Sequence, residues 1–424
     1  MNDISFNFLK SSNIKITLLV FFLLALSGCK AWEMASYRWH SALAKPGWSN
    51  VKMQSSIPFS MINGHILVKV NVNDSAPLTF VLDSGAEATV ITQTAATMLL
   101  NLPKNKPITI SGAGDKGDPI AYVVNDIRID VGDFYIKNMP IIYAPTEAMP
   151  FASVAETYFD GVLGADFFNC CLVEINHDHN TLLILKPSAY NAKKYATTDW
   201  QKLAIEVQDN TPYLTTEIHD GSAKKTVKVM LDTGATGALS LFAGNNDFAI
   251  PAKTYLASTV GISGTTSNYV GILPTLYFGD HRFTQLPTYF RTVGSNSQRN
   301  SHGVLGNQVM QKFNLVFNFQ DQKIWIQPNK NNAVPILLDH SGLSLWPHPK
   351  GAIVKEIAQD TGASALNISL GSIVTSINNT QITHTNFDRL KGLFSSTARS
   401  SLPLCWQDAG MSYCDNLTLA SRLK

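Results

Sequence analysis

An internal repeat constrains this chain more than any other feature of its 424 residues. The segment TFVLDSGAEATVI, which contains Asp83, recurs as KVMLDTGATGALSL, which contains Asp232, 149 residues later. Two shorter segments repeat downstream in the same order, ISGAG as ISGTT and DGVLG as HGVLG. Matched blocks in one order and at similar spacing predict two copies of one structural unit, and such a repeat decides the architecture before any single element does.

The sequence around these blocks is typical of β-strands. Segments such as HILVKVNV and LTFVLD are rich in β-branched and apolar residues and are bounded by Asn, Asp, Ser and Gly. We therefore expect a mostly β chain from Ile57 to Pro328. Hydrophobic residues make up 45% of the composition and the net charge is only +2. A large core can be buried, and the basic excess that a nucleic-acid-binding protein needs is missing.

Each copy of the repeat carries an acidic tripeptide, Asp-Ser-Gly at Asp83 and Asp-Thr-Gly at Asp232. Average residue usage predicts roughly 0.2 such tripeptides in a chain of this length, so two in register are a strong signal. Both follow an apolar strand, and Gly85 and Gly234 would let the backbone pass close to the carboxylates. Each is followed, 70 to 80 residues later, by Val-Leu-Gly.

On these motifs the chain resembles the aspartic proteases from about Ile57 to Pro328. The resemblance implies that Asp83 and Asp232 hold one water and share one proton, so that one carboxyl group acts as base and the other as acid. It also implies hydroxyl hydrogen bonds between the two catalytic loops and a hydrophobic pair of turns beneath them. The residues implied in this supporting role are Ser84, Gly85, Thr233, Gly234, Leu163, Gly164, Leu305 and Gly306.

Two details make the chain similar to retroviral-type rather than pepsin-like proteases. Ala86 and Ala235 follow the tripeptides, where pepsin-like enzymes usually carry Ser or Thr, and the spacings within each copy are short. A hydroxyl at these positions would donate to the carboxylate and lower its pKa. We therefore expect a less acidic pH optimum than that of pepsin.

The repeated Ile-Ser-Gly blocks are candidates for the flaps that close over substrate. The first copy, ISGAGDKGDP, is glycine-rich, and the second is less so. The flap or substrate-binding residues predicted on this basis are Gly112, Gly114, Gly264 and Thr265. A substrate peptide would bind there as an extended strand.

The N-terminus predicts export and anchoring. Lys10 and Lys15 precede the apolar run from Ile16 to Leu26, which is too short to span a bilayer and is typical of a secretory signal peptide. The following Leu-Ser-Gly-Cys29 resembles the bacterial lipobox, which implies acyl chains on Cys29 and stable membrane anchoring. Lys30 follows this cysteine, at the position where an Asp is associated with retention in the inner membrane. We therefore expect the lipoprotein in the outer membrane, facing the periplasm. The alternative is an ordinary signal peptide with a chance cysteine.

An oxidising compartment would permit disulfides. Cys405 and Cys414 lie nine residues apart around a Gly-containing turn, and we expect them to pair. Cys170 and Cys171 are expected to be one buried thiol and one partly exposed thiol, because side chains alternate along a strand. For the HDH sequence at His177 we favour a solvated turn over a metal site. No metal or cofactor is expected.

The C-terminal segment has a different sequence pattern. GAIVKEIAQDTGASALNISLGSIVTSINN resembles a PDZ domain at Gly351, Val354, Leu370 and Gly371, but Ser372 replaces the usual Asp. PDZ domains bind peptide termini by strand addition, so a peptide ligand is a further possible partner.

These observations give one expected organisation. The fold class is mostly β, a bilobal pair of aspartic-protease-like β-barrels followed by a small α+β PDZ-like domain. The expected function is a lipid-anchored aspartic endopeptidase of the bacterial envelope, with a peptide or protein as substrate. The alternative is a non-catalytic lipoprotein that binds peptides through the PDZ-like groove. The expected boundaries are a signal peptide at 1–28, a tether at 29–56, lobes at 57–187 and 188–328, and the PDZ-like domain at 335–424.

Overall fold

The computed structural model describes residues 36–37, 39–112, 114, 117–149, 157–189, 195, 197–243, 248–292, 301–396 and 398–423. The predicted signal peptide and Cys29 lie outside these residues. Strands make up 51% of the structure and helix 10%, so the expectation of a mostly β chain is confirmed. Among the described residues, every helix is too short or too polar to cross a bilayer.

The first half of the chain contains the strands that surround Asp83. Residues 36–37 and 39–43 are helical, and short 3-10 helices lie at Thr97–Leu100, Thr146–Ala148 and Pro187–Ala189. The strands and the helix of this half are β1 (Lys45–Trp48), β2 (Gln54–Pro58), β3 (Ser60–Ile62), β4 (His65–Val72), β5 (Leu78–Leu82), β6 (Val90–Thr92), β7 (Pro107–Thr109), β8 (Ile120–Val131), β9 (Phe134–Ala144), β10 (Gly161–Leu163), α1 (Ala165–Phe168), β11 (Leu172–Asn176) and β12 (Thr181–Leu185).

The second half continues in the same manner and ends in a separate group of strands. Its elements are β13 (Gln201–Ala204), β14 (Glu206–Gln208), β15 (Thr211–His219), β16 (Lys224–Asp232), β17 (Leu239–Phe242), β18 (Tyr255–Gly261), β19 (Gly264–Phe278), β20 (His281–Arg291), β21 (Gly303–Gly306), α2 (Asn307–Met310), β22 (Phe313–Asn318) and β23 (Lys323–Pro328). The last group consists of β24 (Leu343–His348), β25 (Gly351–Ile357), β26 (Ile373–Ile377), β27 (Thr380–Gln381), α3 (Phe387–Lys391), a 3-10 turn at Gly392–Ser395, β28 (Ser401–Asp408) and β29 (Met411–Thr418).

Six strands of the first half close into a ring, which we call the first barrel. The order is β4, β5, β10, β6, β9 and β8, and β8 pairs back with β4. Side chains of β4 alternate as a strand requires, so that Ile66, Val68 and Val70 are buried in the barrel while Lys69 is exposed. The pairs β5–β10 and β6–β9 are parallel.

The second barrel has the same order of pairings. Its ring is β15, β16, β21, β17, β20 and β19, with β19 pairing back with β15. The parallel pairs are again the second and fourth of this order, β16–β21 and β17–β20.

A six-stranded sheet joins the barrels in the order β13, β23, β22, β11, β12 and β2. Its central pair, β11–β22, sets Val173 opposite Phe317. The rings of Phe168, Phe317 and Phe319 pack against one another beside this pair, at centroid distances of 5.3 to 5.9 Å. The two barrels therefore share one hydrophobic core.

The segment expected as a tether belongs in part to this core, which corrects that expectation. β1 pairs with β9, and β2 pairs with β12. Trp48 packs edge to face against Phe134 at 5.1 Å, and Ser55 is buried and donates to the carbonyl of Val131. The sequence of these strands lacks a clear alternation of apolar and polar residues, because short edge strands bury few side chains. The sequence therefore did not predict strands there.

We call residues 335–423 the C-terminal unit. Its strands follow the order β24, β25, β26, β28 and β29, with β27 beside β26. Phe387, Leu390 and Phe394 of α3 and the turn after it are buried against this sheet in a separate core. A disulfide joins Cys405 of β28 to Cys414 of β29, the pair indicated by its spacing.

The remaining cysteine and histidine motifs lie away from the barrel loops. Cys171 is buried and Cys170 is partly exposed, but both lie in the turn after α1 rather than on a strand. His177 is only 7% exposed, and its ring packs against Phe59 at 5.4 Å. The solvated turn expected here is therefore wrong for His177.

Candidate active site

The two acidic tripeptides leave the barrels at equivalent places. Asp83 directly follows β5, and its amide donates to the carbonyl of Leu163 in the adjacent parallel strand at 3.0 Å. Asp232 ends β16 opposite Gly306 of β21. Leu163 and Leu305 are fully buried beneath the loops. The Val-Leu-Gly segments thus hold both tripeptides from below.

The side chains of Asp83 and Asp232 meet and share a hydrogen bond. Oδ1 of Asp83 accepts from the amides of Gly85 at 2.8 Å and Ala86 at 3.1 Å. Oδ1 of Asp232 accepts from the amides of Gly234 at 2.9 Å and Ala235 at 2.8 Å. Each carboxyl group is therefore fixed by its own loop and turned towards its partner.

Burial raises the pKa of both carboxyl groups of this pair, and repulsion from Asp83 raises the pKa of Asp232 further. The loop amides act in the opposite direction, because they stabilise the ionised form. The pair as a whole keeps one proton at a pH where an exposed carboxylic acid would have lost it. One acid and one base are thus available at the same place.

The loops are locked to each other by exchanged hydroxyl hydrogen bonds. Thr233 Oγ1 accepts from the amide of Ser84 at 3.0 Å and donates to the carbonyl of Leu82 at 2.8 Å. Ser84 Oγ accepts from the amide of Thr233 at 3.1 Å and donates to the carbonyl of Leu231 at 2.8 Å. Ser84 and Thr233 are fully buried, so these four bonds are shielded from water.

The two loops approach too closely for any side chain except that of glycine at two positions. A Cβ on Gly85 would lie 2.4 Å from Cγ of Asp232, and a Cβ on Gly234 would lie 2.3 Å from Cγ of Asp83. Such contacts are shorter than any real packing distance, so each glycine lets the opposite carboxyl group reach the centre of the site.

The turns below the loops are equally tight. A Cβ on Gly164 would lie 2.5 Å from the carbonyl of Ala88, and one on Gly306 would lie 2.3 Å from the carbonyl of Gly237. The next residue of each copy donates its amide back to the loop, Ala165 to Ala86 and Asn307 to Ala235, both at 2.7 Å.

Two hairpins cover the site, β7–β8 from the first barrel and β18–β19 from the second. Their tips meet: Ser263 Oγ accepts from the amide of Gly112 at 3.0 Å and donates to Asp118 at 3.1 Å. Gly114 packs directly on the backbone of Ser263. Gly264 and Thr265 begin β19 and pair with β18. Ser263 was not singled out from the sequence, although it directly precedes the predicted Gly264.

The hairpins enclose a cleft of about 1420 Å³ that contains both aspartates. Its wall is built from both barrels and also from the C-terminal unit, including Leu343, Trp346 and Lys391. Contributions of the C-terminal unit to this cleft were not expected from the sequence.

Sequence reasoning also missed His65 in the wall of the cleft. Its Nδ1 lies 2.6 Å from the hydroxyl of Tyr158, and its Nε2 lies 3.0 Å from the carbonyl oxygen of Gly234. His65 is a first-barrel residue that directly contacts the loop that carries Asp232.

A comparison with known protein families finds similarity within the first barrel. Residues 68–167 match the aspartyl protease family. The matched segment runs from β4 to α1 and contains both Asp83 and the Leu163–Gly164 turn. It supports an aspartic-protease-like domain and a hydrolase of the protease type. No curated protein matches the chain.

Asp232 lies beyond the matched segment. Asp232 lies beside Asp83 and accepts from two loop amides in the same way as Asp83. Thr233, the next residue, exchanges hydrogen bonds with Ser84 of the matched loop. The geometry therefore extends the site from one half of the chain to both.

Proposed function

We propose that this protein is an aspartic endopeptidase in which Asp83 and Asp232 activate one water molecule. The observation that carries the proposal is that two partly buried carboxyl groups line one cleft and share a hydrogen bond, while each is fixed through Oδ1. The ionised carboxylate takes a proton from water, and the oxygen of that water forms a bond to the peptide carbonyl carbon. The protonated partner gives its proton to the carbonyl oxygen.

The second half of the reaction returns the site to its starting state. The tetrahedral intermediate loses its C–N bond when the amine nitrogen receives a proton from the carboxyl group that accepted one from water. The other carboxylate takes a hydroxyl proton back as the product carboxyl group forms. Water adds directly, so no bond between enzyme and substrate forms or breaks.

The cleft favours a peptide over a small molecule. Pockets for small ligands occupy about 300–1,000 Å³, and this cleft, at about 1420 Å³, is larger. It is covered by two β-hairpins, whose strands suit an extended peptide as partner.

Three finer points belong to the proposal. The common order of strand pairings supports two duplicated lobes, at 57–187 and 188–328. The Leu-Ser-Gly-Cys29 sequence supports a lipid anchor in the bacterial envelope, facing the periplasm. The motif around Gly351 and Leu370 supports a PDZ-like domain at 335–424, which could add a peptide ligand.

The test is cleavage of a peptide library by the purified full chain between pH 3 and 8, with products identified by mass spectrometry. The wild-type protein should cleave, and Asp83→Asn and Asp232→Asn should each abolish turnover, because the pair then lacks either its base or its shared proton. Asp321→Asn serves as control, since Asp321 is exposed and pairs with Lys323. Equal cleavage by all four proteins would refute the proposal. Absence of cleavage by the wild type at every pH would favour the non-catalytic peptide binder.

A further inference from the structure

The C-terminal unit contacts the first barrel through Trp346, which packs against the buried cluster that contains Leu67 and Val81, and through hydrogen bonds to the Asn63–Gly64 turn between β3 and β4. Lys391 of α3 donates from Nζ to Oδ1 of Asn63 at 2.8 Å. The carboxylate of Asp388, one turn earlier on α3, accepts from the amides of Asn63 and Gly64. The same turn reaches the second barrel, because the carbonyl of Gly64 accepts from Asn307 at 2.8 Å. All three parts of the molecule therefore meet at this turn.

From Asn63 a chain of hydrogen bonds leads to the second catalytic loop, and we call it the relay. Nδ2 of Asn63 donates to the hydroxyl of Tyr158 at 3.5 Å, the longest link. That hydroxyl lies 2.6 Å from Nδ1 of His65, and Nε2 of His65 lies 3.0 Å from the carbonyl oxygen of Gly234. The relay thus runs from Lys391 through Asn63, Tyr158 and His65 to Gly234.

The chemistry of its members fixes the direction of the relay. A lysine ammonium can only donate, and a backbone carbonyl can only accept. Nε2 of His65 must therefore carry the proton that is donated to Gly234, and in the neutral imidazole Nδ1 then accepts from Tyr158. Every link then has one donor and one acceptor, which requires a neutral imidazole.

The surroundings of His65 keep the imidazole neutral. Burial lowers its pKa to about 4, and the positive charge of Lys391 acts in the same direction, while the carbonyl of Gly234 opposes both. Burial also raises the pKa of Tyr158, so the hydroxyl stays protonated. The other titratable groups around the relay are Asp388 and Asp339 near Lys391, and Asp83 and Asp232 in the same cleft.

The end of the relay is a sensitive place. The amide of Gly234 donates to Oδ1 of Asp232, and its Cα passes directly beside the carboxyl group of Asp83. A shift of the Gly234 carbonyl would therefore change the distance between the two aspartates. Displacements of about 1 Å in a catalytic group can cost roughly 100-fold in rate.

We propose that His65 is a positioning residue for the Asp232 loop, and that Lys391 completes the relay from the C-terminal unit, so that docking of this unit sets the activity of the dyad. The inference rests on the proposed function. It gives the C-terminal unit a regulatory role at the catalytic centre, through its contact with the Asn63–Gly64 turn.

The first experiment observes the relay without any substrate. The full chain, labelled with ¹⁵N-histidine, is studied by NMR between pH 3 and 8, with His65→Gln used to assign the resonance. His65 should carry its proton on Nε2 at pH 7 and should titrate near pH 4. In Lys391→Met the nearby positive charge is lost, so the titration of His65 should move to higher pH. Lys350→Met is the control, because Lys350 is an exposed residue of the same unit.

The second experiment measures kcat and KM on a cleaved peptide at pH 6. His65→Leu removes both links and should lower kcat by roughly 10- to 100-fold with little change in KM. His65→Gln keeps an N–H donor for Gly234 and should recover most of kcat. Tyr158→Phe and Lys391→Met should lower kcat less, since the imidazole remains. Thermal unfolding of each variant verifies that the fold is intact at the assay temperature.

The outcomes separate this inference from the proposed function. A proton on Nδ1 of His65 instead of Nε2 at pH 7 would overturn the relay, even in an active protease. Wild-type kcat in a folded His65→Leu variant would overturn the positioning role. If the wild type cleaves no peptide while His65 shows the expected tautomer, the proposed function fails, and the positioning of a catalytic loop fails with it.

Discussion

Replacement of Thr233 by valine probes how strongly the loops that carry Asp83 and Asp232 are locked together. Valine has nearly the shape of threonine, so the change removes the hydroxyl and little else. It deletes the bond from the amide of Ser84, at 3.0 Å, and the bond to the carbonyl of Leu82, at 2.8 Å. Both backbone groups then remain buried without that partner, because Ser84 and Thr233 are fully enclosed.

The magnitude follows from these two groups. A buried polar group that loses its hydrogen-bond partner costs about 1–3 kcal/mol, so Thr233→Val should reduce the free energy of unfolding by about 2–6 kcal/mol. Thr233→Ser is the matched control. It keeps both hydrogen bonds and loses one methyl group, which costs about 1 kcal/mol.

Two measurements check this prediction. Urea unfolding gives the stability difference between the two variants, and hydrogen exchange followed by mass spectrometry reports on the amide of Ser84. Exchange in a peptide that covers residues 79–90 should be faster in Thr233→Val than in Thr233→Ser. The prediction is wrong if the two variants unfold within about 0.5 kcal/mol of each other and show equal hydrogen exchange. The hydrogen bonds of the Thr233 hydroxyl then do not hold the loops together.

Two further predictions concern pH. Ala235→Ser adds a hydroxyl beside Asp232 that can donate to the ionised carboxylate, so the acid limb of kcat/KM should move to lower pH; an unchanged or less acidic limb would contradict the expected role of Ala86 and Ala235. Burial lowers the pKa of His177 from 6.5 to about 4, so the neutral form stabilises the fold fully above pH 6.5 and this contribution is lost as the pH falls towards 4. The loss is roughly 3 kcal/mol. Urea unfolding at pH 7 and pH 4 should show that His177→Leu lacks this part of the pH dependence, and an identical dependence in both proteins would refute it.

The sequence motifs contain the residues that the structure brings together at the centre of the candidate site. Asp83, Asp232 and the residues beside them lie in short motifs whose spacing is repeated, and the local chemistry of a strand followed by a Gly-containing loop requires those residue types. The same is true of the Leu163–Gly164 and Leu305–Gly306 turns, which are adjacent to the loops in parallel strands.

The residues around the centre of the site could not be predicted from the sequence in the same way. His65, Tyr158 and Lys391 belong to no motif, and their partners lie 169, 93 and 328 residues away. Single histidines and lysines of this kind are usually core or surface residues, so their role depends on tertiary contacts alone. β1 and β2 escaped prediction for a related reason, because partners that lie far along the chain stabilise them.

The sheet that joins the barrels has a consequence for biosynthesis. Val173 to Ile175 of β11 pair with Leu315 to Phe317 of β22, which the ribosome adds about 140 residues later. Until β22 emerges, the nascent first half presents an open hydrophobic strand edge, which is a template for association with other chains. Correct folding therefore depends on completing the second half before neighbouring chains pair with that edge.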